Sequence, residues 1–249
     1  MEISVVIHTL DSEGTIRQCL ESVKGFDEIV VCDMYSVDGT LSIVSQYDAK
    51  VVMHDRCGIV EPARAFAISQ ASKEWVLLVD SDEVAPPALE DYLYNIPSQA
   101  DIPDGLWIPR KNYFMNKLMR SSFPDYQMRF FRKERFVDWP ATIHSHPLIE
   151  GSIRKAPPRK ELALVHLERN RIAAMVSKTN HYTDKEIERD KNAGATVAGL
   201  LLKPCYRFLK LYVFKGGFLD GRAGLIYAML GAYNKFLTLS KSIEKRLLS

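Results

Sequence analysis

Residues 75–83 read Trp-Val-Leu-Leu-Val-Asp-Ser-Asp-Glu. An unbroken apolar run that leads straight into Asp80, Asp82 and Glu83 has the character of a buried strand ending at an acidic rim. In an extended chain, residues two apart point to the same side. Asp80 and Asp82 are therefore expected to face together and to offer hard oxygen ligands to Mg2+ or Mn2+. A solvated loop with Asp82 as a helix cap would carry the same letters. The position at the end of a fully apolar strand is what favours the metal.

Working outward, Ile3–Ile7, Glu28–Asp33 and Lys50–Met53 are three more strand-like runs rich in Val and Ile. Between them the spacing predicts a helix capped by Asp11 or Ser12, with Ile16, Leu20 and Val23 on one face. A turn at Ser36–Thr40 opens a second helix through Ser45. A third covers Glu61–Ser72, with Pro62 in its first turn. Four such alternations predict an α/β fold, a mostly parallel central sheet flanked by helices. Ligands of such sheets sit beyond the carboxyl ends of the strands, which is where Asp11, Asp33 and Asp80 gather.

Other nucleotide-binding patterns are excluded. The first strand is followed by His-Thr-Leu-Asp-Ser-Glu-Gly, with a single glycine where a dinucleotide fold needs three. The chain contains no P-loop motif and no G-x-S-x-G nucleophile elbow. Beyond Pro86, strands are predicted at Leu106–Ile108 and Gln127–Phe131, with Gln127 and Arg129 on a shared face. A polar helix is predicted over Ile172–Lys191, and from Ala198 the chain is apolar with spaced cations.

The net charge of +2 hides an uneven distribution. Residues 1–100 hold 6 Lys/Arg and 17 Asp/Glu, whereas residues 200–249 hold 9 Lys/Arg and 2 Asp/Glu. The acidic first part argues against nucleic-acid binding, and the basic, apolar tail suits an anionic surface. Cys19, Cys32, Cys57 and Cys205 form neither a zinc pattern nor a disulfide framework, as expected of reduced thiols in a cytoplasmic protein. Residues Met1–Ile7 read as a strand and not as a signal peptide.

Three segments, ISVVIHTLDSE, DEIVVCDMYSVDGT and ARAFAISQASKEWVLLVDSDE, resemble in order and spacing the N-terminal half of family 2 glycosyltransferases. PDYQMRFFRK, ATIHSH, ALVHL, KTNHYTDKE and the stretch KPCYRFLKLYVFKGGFLDGRAGLIYAMLGAY resemble the small bacterial glucosyltransferases of lipopolysaccharide inner-core assembly. The resemblance implies a GT-A fold, an inverting mechanism and a nucleotide-sugar donor, UDP-glucose. It implies a GT-A catalytic domain over residues 1–170, with a nucleotide-sugar half (1–100) and an acceptor half (101–170), followed by a helical appendage over 171–249.

Carried over by motif, His8, Thr9 and Asp11 line the nucleoside pocket and Asp33 binds the base. Arg64 contacts the diphosphate. Asp80 and Ser81 belong to the donor site, Asp80 near ribose and metal, and Asp82 ligates the metal. Ala65 stands where the family often has Asn, and IHSH replaces the commoner His-Glu pair. Asp125 is the expected catalytic base, because it resembles the acidic residue placed before the family's Gln/Arg segment; Asp138 is the weaker alternative. Gln127 and Arg129 are expected to face donor phosphates or acceptor, although Arg129 would also suit a buried structural pair. Of the paired His144 and His146, His144 is the candidate third metal ligand, against a structural reading of both. His166 is expected to be structural or to complete the metal site.

The longest uncharged run of the tail, Ala223–Asn234, is shorter than the roughly twenty residues of a membrane span. Cations interleaved with Phe, Tyr and Leu suit helices lying on a membrane. The predicted activity is transfer of a hexose onto a lipopolysaccharide-core or related glycolipid, at the inner face of the cytoplasmic membrane. The tail is also a candidate homodimer contact. A polyprenyl-phosphate acceptor and a non-catalytic nucleotide-sugar-binding scaffold are the competing readings.

Overall fold

A computed structural model describes residues 1–56, 61–98, 101–140, 145–167, 172–189 and 196–248. The chain divides into two compact units, Met1–Lys111 with Pro124–Leu167, and Asn112–Phe123 with Glu168–Ser249.

The first unit opens with an alternation of strands and helices: β1 (Ile3–Thr9), α1 (Ile16–Val23), β2 (Glu28–Asp33), α2 (Thr40–Val44), β3 (Lys50–Met53), α3 (Glu61–Ser69) and β4 (Trp75–Asp80). It continues through β5 (Glu83–Val84), α4 (Pro87–Tyr94), β6 (Gly105–Phe114, whose last residues enter the second unit), the second unit's β7 (Lys117–Leu118), then β8 (Asp125–Arg132), β9 (Phe136–Asp138), β10 (Leu148–Ile149), β11 (Ile153–Lys155) and β12 (Leu164–His166). The sheet runs β3-β2-β1-β4-β8-β6-β12-β5. Strands β3, β2, β1 and β4 are parallel, and β8 and β6 extend them in antiparallel fashion.

Strands β1, β2 and β4 are buried on both faces, which is why their sequences are almost continuously apolar instead of alternating with polar residues, whereas the edge strand β3 is largely exposed. Ile3, Val5, Ile7, Leu77 and Val79 share one core with Ile16, Leu20 and Val23 of α1 and Leu89 of α4. Val6, Val30, Val76 and Leu78 share the other with Ala63, Ala67 and Ile68 of α3. Each fully buried aliphatic side chain stabilises the fold by about 1.5–3 kcal/mol. Trp75 stacks on Phe130 at 4.8 Å between ring centres, fastening β8 to β4.

Two local expectations are corrected. Helix α1 begins after Thr15 with no side-chain cap; the Ser12 carbonyl, not a side chain of Asp11 or Ser12, accepts the first amides, from Thr15 and Ile16. Asp11 is engaged elsewhere, as described below. Helix α3 stops at Ser69, where Gln70 and Ala71 turn back onto the Ala67 and Ile68 carbonyls to lead into β4.

The second unit contains α5 (Ile172–Arg189), α6 (Val197–Leu209) continued by a π turn (Lys210–Phe214), and α7 (Gly221–Leu248). Thr196 caps α6 through its hydroxyl, which accepts the Gly199 amide at 3.0 Å. Asp220 is buried, and its Oδ2 accepts the Arg120 amide at 2.9 Å, tying the β6–β7 hairpin region to the start of α7. Phe114 and Met119 pack with Ala223 in a small core beside it.

Gly224 lies against the Gly217 carbonyl so closely that a Cβ there would stand 1.9 Å from its oxygen. Because the obstacle is backbone, it cannot swing aside. The Gly224→Ala variant should lose about 2 kcal/mol or more, read as a lower urea midpoint for the helical unit, whereas an unchanged midpoint would show that the contact is not tight.

Candidate active site

The register of the central strands builds the site. β1 pairs with β4 so that His8 lies beside Asp80, and with β2 so that Thr9 lies beside Asp33. Four predicted residues thus meet at the carboxyl ends of three adjacent strands. Asp33 is fully buried and accepts both the amide and the hydroxyl of Ser36, at 2.8 and 2.5 Å. Ser36 passes the link on by accepting the Asp11 amide at 2.9 Å, and Asp11 Oδ1 accepts the Val37 amide at 2.8 Å. Asp11 and Tyr35 both hold positive φ, 48° and 59°. These bonds fix the two loops that follow β1 and β2 against each other.

Asp80 is the centre of a partly buried ion lattice. Arg129 grips both of its oxygens from β8, and Arg64 Nη2 donates to Oδ1 at 2.8 Å from α3. Arg129 also donates to the fully buried Glu83 at 3.1 Å. Arg110 of β6 donates to Glu83 at 3.1 Å and, through Nε and Nη2, to Asp125 Oδ2 at 3.0 and 2.7 Å. Gln127 Nε2 donates to Asp125 Oδ1 at 3.1 Å. Burial alone would raise the Asp80 carboxyl, but the two guanidiniums outweigh it and hold the group well below the usual carboxylate range.

Asp82 belongs to a different branch. β4 ends at Asp80, and Ser81–Asp82 form a turn, so the extended geometry that would have turned the two carboxylates to one side is not present. Ser81 Oγ meets Ser12 Oγ at 2.9 Å. Asp82 Oδ2 lies 3.1 Å from His166 Nε2 on β12, and the Asp82 carbonyl accepts the Leu167 amide. Burial would lower the His166 imidazole, yet the Asp82 hydrogen bond and charge raise it above its ordinary value. Among the described residues no three His, Cys, Asp or Glu side chains converge as a ready-made metal cage. A carboxylate and an imidazole side by side at a sheet edge are nonetheless the donor types a divalent ion accepts alongside phosphate oxygens.

A cavity of about 320 Å³ opens over the lattice, lined among others by Arg64, Asp80, Arg110, Gln127, Trp139 and His146. The Arg64 guanidinium lies over the Trp139 ring at 4.9 Å, and His146 meets Trp107 edge-on at 4.8 Å. His144 lies outside the described residues, as does Cys57. Asp138 is exposed on β9 in a separate two-stranded sheet and has no part in the lattice. Glu83 was legible as part of the acidic rim but not as a partner of two arginines, and Arg110 and Trp139 were not singled out. The signal for Arg110 was a cation inside the apolar strand pattern of Trp-Ile-Pro-Arg, which becomes meaningful only once β6 pairs with β8 and sets Arg110 opposite Asp125.

The sequence profile described as Glycosyl transferase family 2 matches residues 4–150, more than half of the chain. The chain belongs to this glycosyltransferase family. It is 26% identical over 261 residues to the lipopolysaccharide core biosynthesis glycosyltransferase LpsC of Rhizobium meliloti (strain 1021), covering 100% of this chain and 94% of that one. It is 35% identical over 119 residues to a poly(ribitol-phosphate) beta-glucosyltransferase of Bacillus spizizenii, covering 42% of this chain and 19% of that one. The mannosyltransferase PcManGT from Pyrobaculum calidifontis, solved with GDP-Man and Mn2+, shares the fold with a TM-score of 0.58 at 17% identity, covering 97% of this chain and 87% of that one. The family 2 assignment and this likeness bear out the predicted GT-A fold with flanking helices and a helical C-terminal appendage; the sheet, expected as mostly parallel, combines a parallel half with antiparallel strands.

His8 gives the site a pH signature. Its ring is buried, and burial, reinforced by Arg64, lowers its pKa from 6.5 to about 3. The native state therefore refuses a proton that the unfolded chain accepts below pH 6.5. Stability should fall as pH drops from 6.5 toward 3, by up to about 1.4 kcal/mol per pH unit. Urea midpoints taken near neutrality and again about two pH units lower should separate wild type from His8→Leu, with the variant losing less. Equal losses would show that His8 titrates normally in the folded protein.

Proposed function

We propose that this chain is an inverting hexosyltransferase that moves glucose from UDP-glucose onto a lipopolysaccharide-core or related glycolipid, working peripherally at the inner face of the cytoplasmic membrane. The observation that carries the reading is the acidic and cationic rim at the carboxyl ends of β1, β2 and β4. There Asp33 and Asp80 end β2 and β4, Arg64 pairs with Asp80, and Asp82 follows in the turn after β4, a set of groups that suits a nucleoside diphosphate. The likeness to LpsC supports the acceptor class, and the likeness to the beta-glucosyltransferase of B. spizizenii supports glucose.

In this reading the nucleoside lies along the His8–Asp11 and Asp33 loops. Their mutual hydrogen bonds hold the pocket in shape before the donor arrives. Arg64 reaches the diphosphate while Asp80 holds its guanidinium in place. Asp82 and His166 would hold Mg2+ or Mn2+. When bound, such an ion neutralises charge on the departing diphosphate.

Asp125 takes the proton from the acceptor hydroxyl as that oxygen attacks the anomeric carbon. The bond from that carbon to the diphosphate breaks on the opposite side, inverting its configuration. Arg110 and Gln127 orient the Asp125 carboxylate for this step.

Two variants test these roles. Asp125→Asn should reduce transfer by about a thousandfold while calorimetry shows UDP binding intact; unchanged transfer would remove Asp125 as the base. Asp82→Ala should abolish the Mn2+-dependent part of UDP binding. If wild type and variant bind UDP equally with and without Mn2+, the metal assignment fails.

A further inference from the structure

The helical unit presents an apolar strip that none of its described residues covers. Successive residues of a helix advance by about 100°, which gathers Val197, Leu201, Leu202, Cys205, Tyr206 and Leu209 onto one half of α6. All six are exposed, Leu201 at 66% and Leu202 at 68%. Gly199 is buried on the opposite half, with Leu200 and Pro204 partly buried there. Beyond α6, Phe214 at the end of the π turn and Phe218 after it are exposed as well. Scattered single apolar residues are ordinary on a surface, but a contiguous helical strip marks an interaction site.

The segment that carries the strip holds charges of one sign. Residues 191–219 contain no Asp or Glu. The next carboxylate, Asp220, is buried and turned inward onto the amides of Arg120 and Ser121. Lys203, Arg207 and Lys210 fall together on one flank of α6, between the exposed strip and the buried side, and Lys215 follows at the end of the π turn. A strip whose own segment carries only cations is complementary to anionic headgroups above acyl chains. A second copy of the chain is a poorer occupant, since a twofold contact through this strip would set cations against cations. No helix among the described residues is long and apolar enough to cross a membrane, so the strip would lie along the surface.

We propose that α6 and the π turn after it form a docking element for a bilayer containing anionic phospholipid, with the apolar strip seated below the headgroups and Lys203, Arg207 and Lys210 among them. The proposal deepens the glycolipid-acceptor reading and rests on it for its purpose, although docking is measured with neither donor nor acceptor present.

The test is flotation of the full chain with vesicles of phosphatidylcholine alone, and with vesicles of phosphatidylcholine and phosphatidylglycerol in equal parts. Wild type should float with the mixed vesicles, should float far less with the neutral ones, and should be released by salt. Leu201→Ser/Leu202→Ser should lower partitioning by about tenfold or more. Lys203→Gln/Lys210→Gln should weaken it several-fold and flatten its salt dependence. Unchanged circular dichroism and UDP binding would show that both variants are folded.

Absence of wild-type flotation overturns the docking element, as does equal flotation of wild type and both variants. A dimer in sedimentation that the leucine pair abolishes, without vesicle binding, would assign the strip to a second copy and overturn it as well. Failure of wild type to bind UDP would strike the glycosyltransferase reading and leave the docking result standing.

Discussion

A carboxylate partly withdrawn from water at the end of a hydrophobic strand is held ionised by cations set against it, and at Asp80 two arginines from different elements meet that demand. Arg64 arrives from α3 and Arg129 from β8. The ion lattice therefore fixes a helix and an antiparallel strand to the end of the parallel sheet. Glu83 and Arg110 extend it one step further, to Asp125 on the neighbouring strand. Removing one member of such a buried pair strands its partner's charge, which is far more destabilising than losing both together. The geometry of the cavity is thus inseparable from the stability of the sheet.

The parallel half of the fold was legible because its strands announce themselves. Glu28–Asp33 and Lys50–Met53 have the boundaries that composition alone suggests, and β4 differs only by including Asp80. β2 and β4 are buried on both faces and have almost no polar residue to blur their limits, and the exposed edge strand β3 is marked by its β-branched pair Val51–Val52. The antiparallel half was harder. Asp125–Arg132 carries Asp, Gln and Arg inside one strand, and their burial depends on partners that lie far away in sequence. Arg129 was recognised as important, but its partners Asp80 and Glu83 lie 49 and 46 residues away in sequence, and no local pattern encodes that distance. Asp80 and Asp82 do not share one side of an extended strand for a related reason: the chain turns at Ser81, and Asp82 meets His166, 84 residues away.

The helical unit shows what glycine spacing can and cannot reveal. The run Lys-Gly-Gly-Phe-Leu-Asp-Gly-Arg-Ala-Gly reads as a helix breaker, and a helix does break and restart there. Its physical reason, the close passage of Gly217 and Gly224 around the buried Asp220, is a matter of three-dimensional contact.

Consider finally the tally of signs in the lattice. Arg64, Arg110 and Arg129 are matched one for one by Asp80, Glu83 and Asp125. The cavity floor is electrically spent before any guest enters. A polyanion reaching it would find directed N–H groups and little spare positive potential, so it would bind best as an already neutralised package. Selectivity in such a pocket comes from the shape and hydrogen-bonding pattern of the visitor more than from the sheer magnitude of its charge.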